Sequence, residues 1–138
     1  MSAVQNRATE VVFVLLPGVV LLDVAGPADA FRNAASRIPG SYRLRFVAPR
    51  KAVTAAVGLE LSSLEPLPAR LAPGTILVLT GLSGAAIDPH APATRRVILW
   101  LRNRASNTKP RRLAIAALRV LRSSQQISIR LAAREVKA

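Results

Sequence analysis

The chain alternates apolar runs with charged, turn-rich intervals, and the runs are of two kinds. Val11 to Leu16 is six apolar residues in succession, closed by Pro17-Gly18. A run this short and continuous, bounded by turn residues, is the pattern of a strand buried on both faces, as in a parallel sheet covered by helices. Thr75 to Leu79 repeats it ahead of Gly81. Tyr42 to Ala48 instead alternates long basic with apolar residues, the period-two mark of a half-exposed strand. Two segments carry helical three- and four-residue spacing. Pro27 to Arg37 has Pro in its first turn, where the missing N–H costs nothing, and sets Ala30, Phe31 and Ala34 on one face. Thr94 to Ala105 turns Val97, Trp100, Leu101 and Ala105 inward and Arg95, Arg96, Arg102 and Arg104 outward. Between these elements, Pro39-Gly40 breaks the chain and Pro49 to Val53 reads as a turn. Ala55 to Leu61 reads as a short strand about Gly58, and Ser62 to Pro73 as a Pro-interrupted loop. Strands separated by helices imply right-handed crossovers and a doubly wound α/β sheet.

One residue breaks the first pattern. After Pro17-Gly18 a second apolar run, Val19 to Leu22, ends at Asp23, a lone carboxylate among Val, Ala, Gly and Pro. In open parallel sheets, function collects at the carboxyl ends of the strands, so Asp23 is the first candidate for chemistry. Its structural alternative is to cap the helix starting near Pro27, or to hydrogen-bond its own loop.

The residues Leu16-Pro17-Gly18, Leu21-Leu22-Asp23, Gly26-Pro27 and Phe31 resemble the opening strand, loop and helix of the PfpI and isocyanide hydratase superfamily. They are most similar to the N-terminal domains of GlxA-type regulators in the AraC family. The resemblance continues through Tyr42 to Val47, Val57-Gly58-Leu59 with Leu64, Thr75 to Gly81, and Asp88 to Trp100, and it fades after Leu113. It implies a flavodoxin-like, class I glutamine amidotransferase-like fold, here a partial doubly wound parallel sheet with flanking helices. It also implies a domain over 1–113, incomplete as a PfpI-like unit, followed by a basic tail over 114–138, helical or disordered.

Charge sharpens that division. The net charge of +13 is carried unevenly, for residues 1–94 hold eight basic and six acidic residues while 95–138 hold twelve basic and one acidic. Such asymmetry can signal a nucleic-acid-facing tail. Surfaces that read single strands interleave aromatics for stacking, however, and none follows Trp100. ISIRLAAREVKA vaguely resembles the opening of a helix-turn-helix, with no recognition helix after it. The expectation is no specific nucleic-acid binding by this chain. The tail has two accounts. It is a basic helix with a partial stripe of Leu113, Ala117, Val120 and Leu121, or it is the out-of-frame product of a GC-rich coding sequence from about Ala114. The second fits the enrichment in Arg, Ser and Gln better. Without an apolar stretch of about 20 residues no membrane span is expected. Without a leader pattern in MSAVQNRATE the default location is cytoplasmic.

The chemistry is defined by what is missing. Enzymes of the superfamily place a Cys on a sharp strand-to-helix turn, where strain exposes the sulfur and helix amides lower its pKa. That turn would follow Arg111-Arg112-Leu113-Ala114, but the chain has no Cys at all. Ser123 and Ser124 are flanked by Arg and Gln rather than the small residues an elbow needs. No enzymatic activity, cofactor or metal site is expected, and His90, alone in a Pro-flanked turn, cannot assemble a tetrahedral site. Trp100 belongs to the core stripe of its helix. The turn Gly81-Leu82-Ser83-Gly84 offers backbone amides to a ligand, although a short Gly-rich turn after a strand is usually only a turn. The ligand-pocket candidates are therefore Asp23, Gly26, Gly81 and Ser83. The implied function is a truncated ligand-sensing or dimerising domain of a GlxA-type regulator without its DNA-binding half, its partners a small molecule and a second copy of itself. The alternative is an inactive relative of the isocyanide hydratases.

Overall fold

The computed structural model describes residues 8–82, 88, 90–107, 115–123 and 126–134. Its described strands form a six-stranded sheet in the order β5-β2-β1-β6-β7-β8 and a two-stranded ribbon of β3 and β4. In chain order the elements are β1 (Thr9–Val14), α1 (Leu21–Arg37), β2 (Tyr42–Ala48), β3 (Val53–Thr54), β4 (Glu60–Leu61) and β5 (Glu65–Pro66). They continue with β6 (Ile76–Leu79), α2 (Pro92–Asn107), β7 (Ile115–Ser123) and β8 (Gln126–Arg134). β1 lies at the centre, parallel to β2 on one side and to β6 on the other. The β1–α1–β2 connection therefore moves one way along the sheet and β6–α2–β7 the other. Right-handed crossovers running in opposite directions place their helices on opposite faces, giving the doubly wound α/β architecture expected from the strand and helix alternation.

The alternation of side chains along β1 builds one core on each face. Val12 and Val14 pack with Val47, Leu77, Val97 and Trp100 under α2. Val11 and Phe13 pack with Val78, Ala28 and Phe31 under α1. Phe13 stacks on Phe46 with ring centroids 5.0 Å apart, and Phe31 meets Tyr42 edge-on at 5.1 Å. A third group closes the carboxyl end of the sheet, where Leu15, Val19, Ala48, Val53 and Ala55 are buried together. The continuous apolar runs and the alternating one thus become the strands they predict, with Tyr42–Ala48 partly exposed along much of its length. Arg45 on β2 ties the edge together, its guanidinium 2.6 Å from Glu65 and 3.4 Å from Glu10.

Four expectations need correction. The first helix begins at Leu21, two turns before Pro27, which lies inside it. A proline there withholds only the N–H that would reach the carbonyl of Asp23, and the clash it makes with the residue before it is relieved because Gly26 has no Cβ. The buried face also differs: Ala30 is exposed, while Ala28 and Phe31 face the sheet. The strand about Gly58 is instead a hairpin. Val53 pairs with Leu61 across a turn in which Gly58 adopts φ +84, a conformation that favours glycine. Finally, the segment expected as a helical or disordered tail contains β7 and β8. β7 joins β6 in parallel over Leu77↔Ile115 to Leu79↔Ala117, and β8 returns antiparallel over Ile115↔Arg134 to Ser123↔Gln126. The physical reason is in the residues: Ile127-Ser128-Ile129-Arg130-Leu131 alternates with the period of a strand. Among the described residues no helix is long and apolar enough to cross a membrane.

Candidate functional site

Strand order reverses between β1 and β6, and the crevice outside the carboxyl ends of two such strands is where doubly wound sheets bind ligands. Here the crevice is sewn shut by backbone bonds. The loop after β1 turns at Gly18, whose φ of +82 requires a glycine-like conformation, and it brings Val19 and Val20 across to the turn after β6. Val20 N–H donates to the Gly81 carbonyl at 2.9 Å, and Val19 bridges antiparallel to Leu82. Thr80 Oγ1 donates to the Val14 carbonyl at 3.2 Å, joining the strand ends directly.

Asp23 completes this junction. It stands in the first turn of α1, where a carboxylate suits the positive end of the helix dipole, and it is only 2% exposed. Its Oδ2 accepts from the Gly81 N–H at 3.0 Å, while Oδ1 is buried without a partner. Burial pushes the carboxyl above its ordinary range, and the Gly81 N–H opposes that shift. No Lys, Arg or His occurs in residues 11–28 or 75–87, so neither of the two segments that meet at Asp23 offers it a cation. The carboxyl can accept from a backbone amide and, when protonated, donate one hydrogen bond from Oδ1. It neither caps a helix starting near Pro27 nor bonds its own loop.

The other candidates separate. Gly81 meets Asp23 through its own N–H, and its carbonyl accepts from Val20. Gly26 is on the exposed side of α1, with open space where a Cβ would stand, so its place is explained by Pro27 rather than by a pocket. Ser83 lies outside the described residues, as do Ser124 and Arg111 to Ala114. β7 runs without a break to Ser123. His90 is exposed, its backbone N–H held by Asp88 at 2.9 Å. Trp100 is 8% exposed in the α2-side core, and its indole N–H donates to the Pro68 carbonyl at 2.8 Å.

Sequence reasoning did not single out a second concavity. A cleft of about 340 Å3 opens between Leu15, Val24 and Phe46 on one side and the Glu60–Leu64 segment on the other. The hairpin that carries Glu60 is pinned over the sheet end by Gly18 N–H to Thr54 at 2.8 Å and Ala56 N–H to Val19 at 2.9 Å. No motif marks these residues, since they come from four separate segments.

No protein-family model matches the sequence, and no curated protein does. Among solved structures the fold is similar to an AraC family transcriptional regulator from Pseudomonas putida, with a TM-score of 0.61 at 20% identity over 80% of this chain and 64% of that one. It is similar also to a transcriptional regulator protein from Vibrio parahaemolyticus, with a TM-score of 0.56 at 16% identity over 80% of this chain and 56% of that one. The chain spans less than two thirds of either protein. At these identities the likeness is one of fold, the parallel α/β sheet flanked by helices.

Proposed function

We propose that this chain is the ligand-sensing or dimerising domain of a GlxA-type, AraC-family transcriptional regulator, and that it is not an enzyme. The observation that carries the reading is the Asp23–Gly81 contact, in which the acid of an opening motif resembling the PfpI superfamily is spent on a backbone amide in a chain without cysteine. A carboxyl held this way positions the switch-point loops; it has no thiol to activate. The fold of the two regulators supports the same assignment, and sensing domains on doubly wound sheets bind their ligands at this end.

The test is to fuse residues 1–138 to a DNA-binding domain that represses a reporter only when paired. Repression well above that of the unfused domain is expected, with no hydration of an aryl isocyanide by the purified chain. Repression at background with no ligand-dependent stabilisation, or turnover that disappears in Asp23→Asn, would overturn the proposal.

A further inference from the structure

The two edges of the six-stranded sheet are finished differently. β5 is two residues long, and one of them, Pro66, has no N–H to offer. The other, Glu65, is held by Arg45. Short, proline-bearing edges of this kind resist the addition of another strand. β8 has neither device. It runs for nine residues, Gln126–Arg134, without Pro or Gly, and its pairing with β7 is unbroken by a bulge. Among the described residues no strand lies on its outer side, so that side of β8 keeps a row of backbone donors and acceptors.

Register determines what fits there. β6 pairs with β7 only as far as Ala117, so beyond it the ribbon is two strands wide, a width that is marginal in water. In that part Arg119 pairs with Arg130, and like charges directly opposite destabilise a ladder. Alternation along β8 puts Ser128, Arg130 and Arg134 at positions of one face and Ile127, Ile129 and Leu131 at positions of the other. A strand added to β8 is held about 4.8 Å away by the ladder itself, so its alternate positions line up with these two rows independently of rotamer. An acid in line with Arg130 offsets the repulsion from Arg119, and apolar residues on either side of it continue the row of Ile129. The row of backbone groups also chooses between polyanions. Phosphates only accept hydrogen bonds, whereas an extended peptide supplies both donors and acceptors. We infer that the outer edge of β8 binds an extended peptide in which acidic and apolar residues alternate, adding it as a further strand of the sheet. The inference does not depend on the chain being part of a regulator.

The test follows the anisotropy of a dye-labelled peptide, Ser-Val-Glu-Val-Glu-Val-Ser, as the whole chain is added in about 0.15 M salt. Saturable binding is expected. The counterpart Ser-Val-Lys-Val-Lys-Val-Ser should bind at least about tenfold more weakly, because like charges then stand in line. Methylating the backbone nitrogens of the glutamate peptide keeps its charge and removes its donors, and should abolish binding. Arg130→Glu should reverse the preference, weakening the glutamate peptide and admitting the lysine one. That variant sets an acid opposite Arg119, so the ribbon keeps its pairing. A dimer without peptide binding would give the edge to a second copy, and displacement of the peptide by a DNA duplex would give it to nucleic acid. Either result overturns the inference, as do equal binding of the methylated peptide, a preference unmoved by Arg130→Glu, or no saturation up to about 1 mM.

Discussion

The two faces of β1 solve the same packing problem with different completeness. On the α2 face the core is Val12, Val14, Val47, Leu77, Val97 and Trp100, and the indole N–H reaches the Pro68 carbonyl. On the α1 face and at its sheet end the helix starts without a side-chain cap and carries an internal proline. It buries a carboxyl of which one oxygen is unpartnered. Buried polar groups are ordinarily satisfied, and exceptions mark strained or functional places. The comparison teaches that the α2 face is built for stability, while the α1 face accepts an unsatisfied group at the point where ligands bind in folds of this kind.

The largest test of that contrast lies in the packing itself. Phe13→Ala removes a fully buried ring stacked on Phe46 and should cost about 3–5 kcal/mol in urea unfolding. A loss below about 1 kcal/mol would mean that the α1 face can collapse around the cavity. On the other face, Trp100→Phe keeps an aromatic but leaves the Pro68 carbonyl without its donor, and a loss of about 1–2 kcal/mol is expected. No measurable loss would show that water replaces the indole.

Asp23 gives a prediction of sign. Burial raises its folded pKa above the ordinary value of 3.8, so the native state holds this proton more tightly than the unfolded chain does. Its contribution to stability is fully present below 3.8 and is lost as pH rises through the folded value. Asp23→Asn keeps an acceptor for Gly81 and removes the charge. Stability measured against pH should therefore lose that decline, and the variant should be at least as stable as the parent at pH 8. A steeper decline in the variant would assign the carboxylate a stabilising partner. The smallest effect is at the sheet edge, where Arg45→Met removes the pairs with Glu65 and Glu10. Partly exposed ion pairs contribute at most about 1 kcal/mol, and the loss should shrink as salt is added.

Much of the frame was legible because it rests on local periodicity. The run from Val11, the alternation from Tyr42, the run from Ile76 and the stripe of Val97, Trp100 and Leu101 each encode an element within a few residues of themselves. Misreadings arose where two local signals competed. Pro27 marked a helix start so strongly that the preceding two turns were hidden, and the Arg-rich composition after Leu113 masked the alternation in Ile127 to Leu131.

By itself the sequence determined β1, β2, β6 and the apolar stripe of α2, because side-chain spacing and turn chemistry act over a few positions. It also drew attention to Asp23, since a carboxylate in an apolar segment conflicts with its surroundings at once. What that carboxylate does was decided only by the tertiary structure. Its partner, the Gly81 N–H, stands 58 residues away, and a backbone amide leaves no mark in the sequence. The cleft between Phe46 and the Glu60–Leu64 segment is likewise a product of the fold, assembled from segments whose meeting depends on strand order and the docking of a hairpin.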